Sequence, residues 1–174
     1  MRSKVFARCI HALLLVLVVA APAAAQQTMI FVRHAERADG GAGMQPASPN
    51  SPPADPSLSA AGEARAARLA AMLADAGVKG IYTSEFKRTK ETAAPLASKL
   101  GLKIEVVPSK DYAALVAKIK GAHARDTVLV VGHSNTIPEA IKAFGGPALT
   151  IADDEYTGIY IFTPSTGAIM VIRY

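Results

Sequence analysis

Two short runs without polar alternation, Thr28 to Val32 and Thr127 to Val131, constrain this chain more than any other feature. A strand with one wet face alternates apolar and polar residues. A continuous apolar run has to be covered on both faces, as a central strand of a parallel sheet is. The intervening segments read accordingly. Ser59 can cap a helix in which Gly62, Ala66, Leu69, Met72, Leu73 and Ala76 recur at three and four residues, with Gly77 as its stop. Gly80 to Thr83 is a short strand, and Ser84 opens and caps a second helix to about Leu100, kinked or restarted at Pro95. Leu102 to Val107 is a strand, Asp111 to Lys120 a helix, and Thr136 to Phe144 a short helix closed by Gly145 and Gly146. Gly158 to Thr163 and Ala168 to Tyr174, joined through Pro164 to Gly167, read as a β-hairpin. Strands alternating with helices and then a hairpin predict an α/β fold, a three-layer α/β/α sandwich with a mostly parallel mixed sheet.

The net charge of +5 suggests nucleic acid or a membrane surface as partner until the amino terminus is considered. Arg2, Lys4 and Arg8 precede the apolar run Ala12 to Ala21, which Pro22 and Ala23-Ala24-Ala25 follow. This is the pattern of a cleaved secretory signal. A membrane span needs about 20 apolar residues, and Pro22 interrupts this run early. Removing residues 1–25 from the 174 leaves 149 and lowers the charge from +5 to +2, so no nucleic-acid partner is expected. Cys9 leaves with the signal. The expectation is one domain over 26–174, secreted and periplasmic in a Gram-negative cell, with no stable membrane anchor. Within it, residues 38–57 hold five prolines and three glycines, a flexible loop that acts either as a lid or as a tolerated insertion.

Arg33-His34-Ala35-Glu36-Arg37 follows the first buried run, and Gly132-His133-Ser134-Asn135 follows the second. One histidine at a strand exit is more often structural than catalytic. Two at the exits of parallel neighbours share the crevice where α/β sheets bind ligands. Arg33 and Arg88 can bring guanidinium forks to the same place, a good match to phosphoryl oxygens. With Leu58-Ser59-x-x-Gly62 and Ser84-x-x-x-Arg88-x-x-x-Thr92-Ala93 in the same order, the mature chain resembles the histidine phosphatase superfamily, also called phosphoglycerate-mutase-like.

That resemblance implies a nucleophile, His34, that is transiently phosphorylated, and a phosphoryl group held by Arg33, Arg88 and His133, with no metal and no cofactor. Neutral imidazole is a competent nucleophile near neutral pH. The two arginines and a protonated His133 would neutralise the transferring oxygens. One branch of the family has an aspartate directly after the second histidine, where this chain has Ser134. The mutase-like branch takes its acid from the loop after the strand that follows the second arginine, which makes Asp111 the candidate proton donor. Glu36 is a second candidate, more naturally a loop anchor, and some small members work with no dedicated acid. The run Asp153-Asp154-Glu155 is expected to be solvated, and His123 to lie on the surface. Gly40 to Gly43 lacks the Lys-Ser or Lys-Thr of a phosphate loop.

The predicted function is a secreted phosphomonoesterase acting on phosphate esters or phosphohistidine, with a small phosphorylated substrate or a phosphoprotein as partner. A mutase is disfavoured by the short chain and the loose segment 38–57. A catalytically silent phosphate-binding protein of the same fold would be expected to have lost one of the four residues. A zinc hydrolase using His34, Glu36 and His133 would have to tolerate Arg33 and Arg88 beside its cation.

Overall fold

The computed structural model describes residues 26–40 and 55–174, so the expected signal at 1–25 and the middle of segment 38–57 lie outside the described residues. The elements run β1 (Thr28–Arg33), α1 (Ala60–Leu73), β2 (Val78–Thr83), α2 (Lys87–Leu100), β3 (Ile104–Val106), α3 (Tyr112–Ala122), β4 (Thr127–Gly132), α4 (Thr136–Ala143), β5 (Gly158–Thr163) and β6 (Ala168–Arg173). They build one six-stranded sheet in the order β3-β2-β4-β1-β5-β6. The four strands from β3 to β1 are parallel, and β5 and β6 add antiparallel at one edge.

The two apolar runs are the two inner strands, β1 and β4. Their side chains alternate between two cores. Met29, Phe31, Val128 and Val130 pack with residues of α3 and α4, while Ile30, Val32, Leu129 and Val131 pack with residues of α1 and α2. This two-sided burial is the physical reason for the missing alternation. The only cysteine is Cys9, so no disulfide within the chain contributes, and each fully buried aliphatic side chain supplies about 1.5–3 kcal/mol instead.

Ser59 does cap α1, its hydroxyl accepting from Gly62 N at 3.1 Å. Gly62 lies so close to the Glu36 carbonyl that a Cβ there has no room, and Ser59 N donates to that same carbonyl at 2.9 Å. The Leu58-Ser59-x-x-Gly62 pattern thus docks α1 onto the backbone just after His34. An Arg37–Leu58 bridge and a bond from Ala38 N to Ser57 O at 2.9 Å close the base of segment 38–57.

Several local expectations need correction. Met72 is 45% exposed, and the core face of α1 uses Ala70 instead. The second helix starts at Lys87 rather than Ser84, with Phe86 at its N-cap and no side-chain cap. Pro95 sits inside one continuous α2, so the helix does not restart there. His123 is not a surface residue: its ring covers Gly80, stands edge-on to Tyr82 and bonds Asp126 at 2.9 Å.

Candidate active site

Register places the chemistry. Arg33 on β1 is the partner of Gly132 on β4, so His34 and His133 leave the sheet side by side at its carboxyl edge. Their ring centroids lie 5.2 Å apart with planes at 65°. Both are almost fully covered, at 4% and 8% exposure. Arg33, Arg37, Arg88, Ser109, Lys110, Ser134 and Asp153 line the same crevice.

His34 Nδ1 lies 2.8 Å from the carbonyl of Ala35. A carbonyl only accepts, so Nδ1 carries the hydrogen and Nε2 keeps a lone pair. Thr92 sets the neighbouring backbone: its hydroxyl accepts from Ala35 N at 2.9 Å and donates to Arg88 O at 2.7 Å. The Arg88-x-x-x-Thr92 spacing is one helical turn, which ties the arginine's backbone to the segment carrying the nucleophile.

Ser84 has a role that sequence reasoning missed. Its hydroxyl sits 3.0 Å from His133 Nε2 and 2.9 Å from Thr89 Oγ1, which in turn donates to Phe86 O at 2.8 Å. Followed backwards from that carbonyl, the chain runs from His133 Nε2–H to Ser84 to Thr89, leaving His133 Nδ1 towards Arg88 Nη2 at 3.5 Å. Tyr156 was missed as well. Arg33 stacks on its ring with the guanidinium carbon 4.0 Å from the centroid, and donates to Tyr156 OH at 3.3 Å and to Glu155 O at 3.3 Å. A tyrosine after an acidic run gives no signal for this in the sequence.

Among the described residues, four buried guanidinium nitrogens, Arg33 Nε, Arg37 Nε, Arg88 Nε and Arg88 Nη1, have no hydrogen-bond acceptor. Burying such donors unpaired costs free energy, and an oxyanion in the crevice would remove that cost. Asp55, at the far end of segment 38–57, stands 3.6 Å from Arg88 Nη1 and accepts from Lys87 N at 2.9 Å.

Burial, reinforced by the surrounding cations, pushes the His34 imidazole down to about 3 despite its Ala35 hydrogen bond, and His133 to about 4. Both are therefore neutral at pH 7. This suits His34 as a nucleophile, and the cationic His133 expected beside a phosphoryl group requires that anion to offset burial and the neighbouring arginines. There is a stability consequence. The unfolded chain binds protons at these two histidines below about pH 6.5, and the folded chain does not until about pH 3–4. Their contribution is thus fully present above pH 6.5 and falls as pH drops, by about 1.4 kcal/mol per pH unit for each histidine. The urea midpoint should fall steeply from pH 6.5 to 4.5, and less steeply in a His34→Gln, His133→Gln variant. Equal slopes for the two proteins would show that the histidines are not buried neutral.

The candidate acids are placed elsewhere. Asp111 is the N-cap of α3, accepting from Ala114 N at 2.9 Å, and it lines a neighbouring, largely apolar cavity with Tyr112 and Leu115 rather than the crevice of His34. Glu36 is gripped by Arg65 through both oxygens, at 2.8 Å from Arg65 Nε, and that guanidinium holds its carboxyl below the usual range. Glu36 is therefore a structural anchor and does not join the two imidazoles as a third metal ligand. Asp153 is exposed, as expected, and it also lines the crevice and accepts from Ser134 Oγ at 2.5 Å.

The family model described as Histidine phosphatase superfamily (branch 1) matches residues 29–111, a stretch containing Arg33, His34 and Arg88. No curated protein matches the sequence. Among solved structures the chain is similar to a phosphoserine phosphatase from Entamoeba histolytica in complex with 3-phosphoglyceric acid, at 16% identity and TM-score 0.61, covering 83% of this chain and 94% of that one. It is similar to the protein histidine phosphatase SixA complexed with tungstate, at 19% identity and TM-score 0.59, covering 83% and 94%. A third is the mycobacterial glucosyl-3-phosphoglycerate phosphatase Rv2419c with VO3, at 16% identity and TM-score 0.58, covering 84% and 96%. At these identities the likeness concerns the fold.

Proposed function

We propose, from the premise that this chain belongs to the histidine phosphatase superfamily and is a phosphatase, that it hydrolyses phosphate monoesters or phosphohistidine through transient phosphorylation of His34. The observation that carries this reading is the pairing of two buried imidazoles, 5.2 Å apart, with arginine N–H groups that lack acceptors among the described residues. His34 Nε2 attacks phosphorus while its Nδ1–H stays on the Ala35 carbonyl, which supports the positive charge that develops on the ring. Arg33 and Arg88 meet the equatorial oxygens, and the incoming anion favours protonation of His133 at the nitrogen facing it. Water then displaces the imidazole and releases inorganic phosphate. The arrangement asks for no metal.

Substrates named for relatives, phosphoserine, glucosyl-3-phosphoglycerate and protein phosphohistidine, share a phosphoryl group on a polar carrier. The rim here, with Ser109, Lys110, Asn135 and Asp153, suits such carriers. The same proposal places the mature domain outside the cytoplasm, supported by the basic start, apolar run and Ala23-Ala24-Ala25 of residues 1–25. Among the described residues no helix is long and apolar enough to cross a membrane.

Phosphate release from a panel of sugar phosphates, phosphoamino acids and phosphohistidine, measured in the presence of a strong chelator, tests this reading. Release from at least one substrate, unchanged by the chelator, is expected. Failure to release phosphate from any of them, or loss on chelation, would overturn it.

A further inference from the structure

Breaking the bond to an alkyl leaving group expels an alkoxide unless a proton is supplied, and both imidazoles have other work. His34 is the nucleophile, and His133, its Nε2 directed to Ser84, meets the phosphoryl oxygens with its other nitrogen and stays protonated to hold them. All 14 aspartates and glutamates of the chain fall within the described residues. Those near the crevice are mostly committed. Glu36 is held by Arg65, Asp55 by Lys87 N, Glu85 by Ser109 N at 2.8 Å, and Asp111 by Ala114 N. Asp153 is the one carboxylate that lines the crevice with both histidines.

Its geometry fits the task. Ser134, the residue directly after His133, donates to Asp153 Oδ1 at 2.5 Å. That bond ties the loop between α4 and β5 to the second histidine's own segment. It also leaves Oδ2 as the oxygen able to carry a proton. We propose that Asp153 is the proton donor to the leaving group and that Ser134 is the positioning residue that orients its carboxyl. This inference rests on the phosphohistidine reading above.

The two steps balance. The lone pair of His34 Nε2 forms the N–P bond as the P–O bond breaks; the bonding pair stays on the leaving oxygen, which takes the proton from Asp153 Oδ2. A water oxygen then attacks phosphorus as the N–P bond breaks and its pair returns to Nε2; the water's proton goes to Asp153, restoring the acid. Ser134 keeps its own hydrogen throughout.

The dependence on leaving group tests this. kcat/KM should be measured for an alkyl monoester such as glycerol phosphate and for p-nitrophenyl phosphate, whose phenolate leaves without a proton. Asp153→Asn should lower the alkyl ester by about 10²-fold or more, the scale of general-acid catalysis, while p-nitrophenyl phosphate changes only a few-fold. The retained aryl activity also reports that the variant is folded. Ser134→Ala should show the same selectivity with a smaller loss. Equal losses on both substrates, or an unchanged alkyl rate, would overturn the proposal. So would an alkyl-selective loss in Asp111→Asn but not in Asp153→Asn. If these outcomes occur while His34→Ala is inactive, the phosphohistidine reading stands and only this inference fails; an active His34→Ala removes both.

Discussion

His34→Ala is expected to reduce turnover to background, a loss on the order of 10⁶-fold, the scale seen when a covalent nucleophile is removed from a hydrolase. Alanine deletes an imidazole whose free nitrogen is set by the backbone, Nδ1 being held by Ala35 O at 2.8 Å. The rest of the crevice is untouched. Arg33 stays on Tyr156 and Arg88 stays on the backbone fixed by Thr92. The variant should therefore still bind inorganic phosphate or tungstate by calorimetry. Loss of chemistry with retained oxyanion binding separates a nucleophile from a structural histidine; loss of both would mean that the crevice collapses without the ring.

Arg88→Ala is expected to lower kcat/KM by about 10²–10³-fold, the usual effect of removing one donor to transition-state charge. Two of its buried nitrogens lack hydrogen-bond acceptors among the described residues, and its Nη2 stands 3.5 Å from His133 Nδ1. Arg88→Lys restores the charge without the planar fork and should recover only part of the loss. There is a second readout. After burial, Arg88 is the largest influence holding His133 down, so its removal should move the His133 titration up towards the ordinary histidine value in proton NMR. An Arg88→Ala enzyme with near-normal kcat/KM would place the phosphoryl group elsewhere.

What the sequence made legible was whatever depends on neighbours in the chain. Unalternating strands reveal two-sided burial, and a shared carboxyl edge follows from two such strands ending in Arg33-His34 and Gly132-His133. The N-cap at Ser59 is equally local. Side chains answering to partners far along the chain were not legible. Ser84 precedes a helix and reads as its cap, yet it serves His133, 49 residues on. Asp111 reads as an acid at a loop, but the amide of Ala114 already engages its carboxylate. Tyr156 and Asp153 reach the site only because the turn after α4 folds back over Arg33 and Ser134. His123 is covered because Gly80 leaves room for its ring, which spacing along one strand cannot reveal.

The central claim is that phosphorus passes through His34, and trapping tests it most directly. The protein is mixed with substrate labelled in its phosphoryl group, quenched within a turnover and digested. The account predicts label on the His34 peptide, stable in alkali and released by acid, and none in His34→Ala. Steady turnover with no label on His34, or label that persists in His34→Ala, would contradict it.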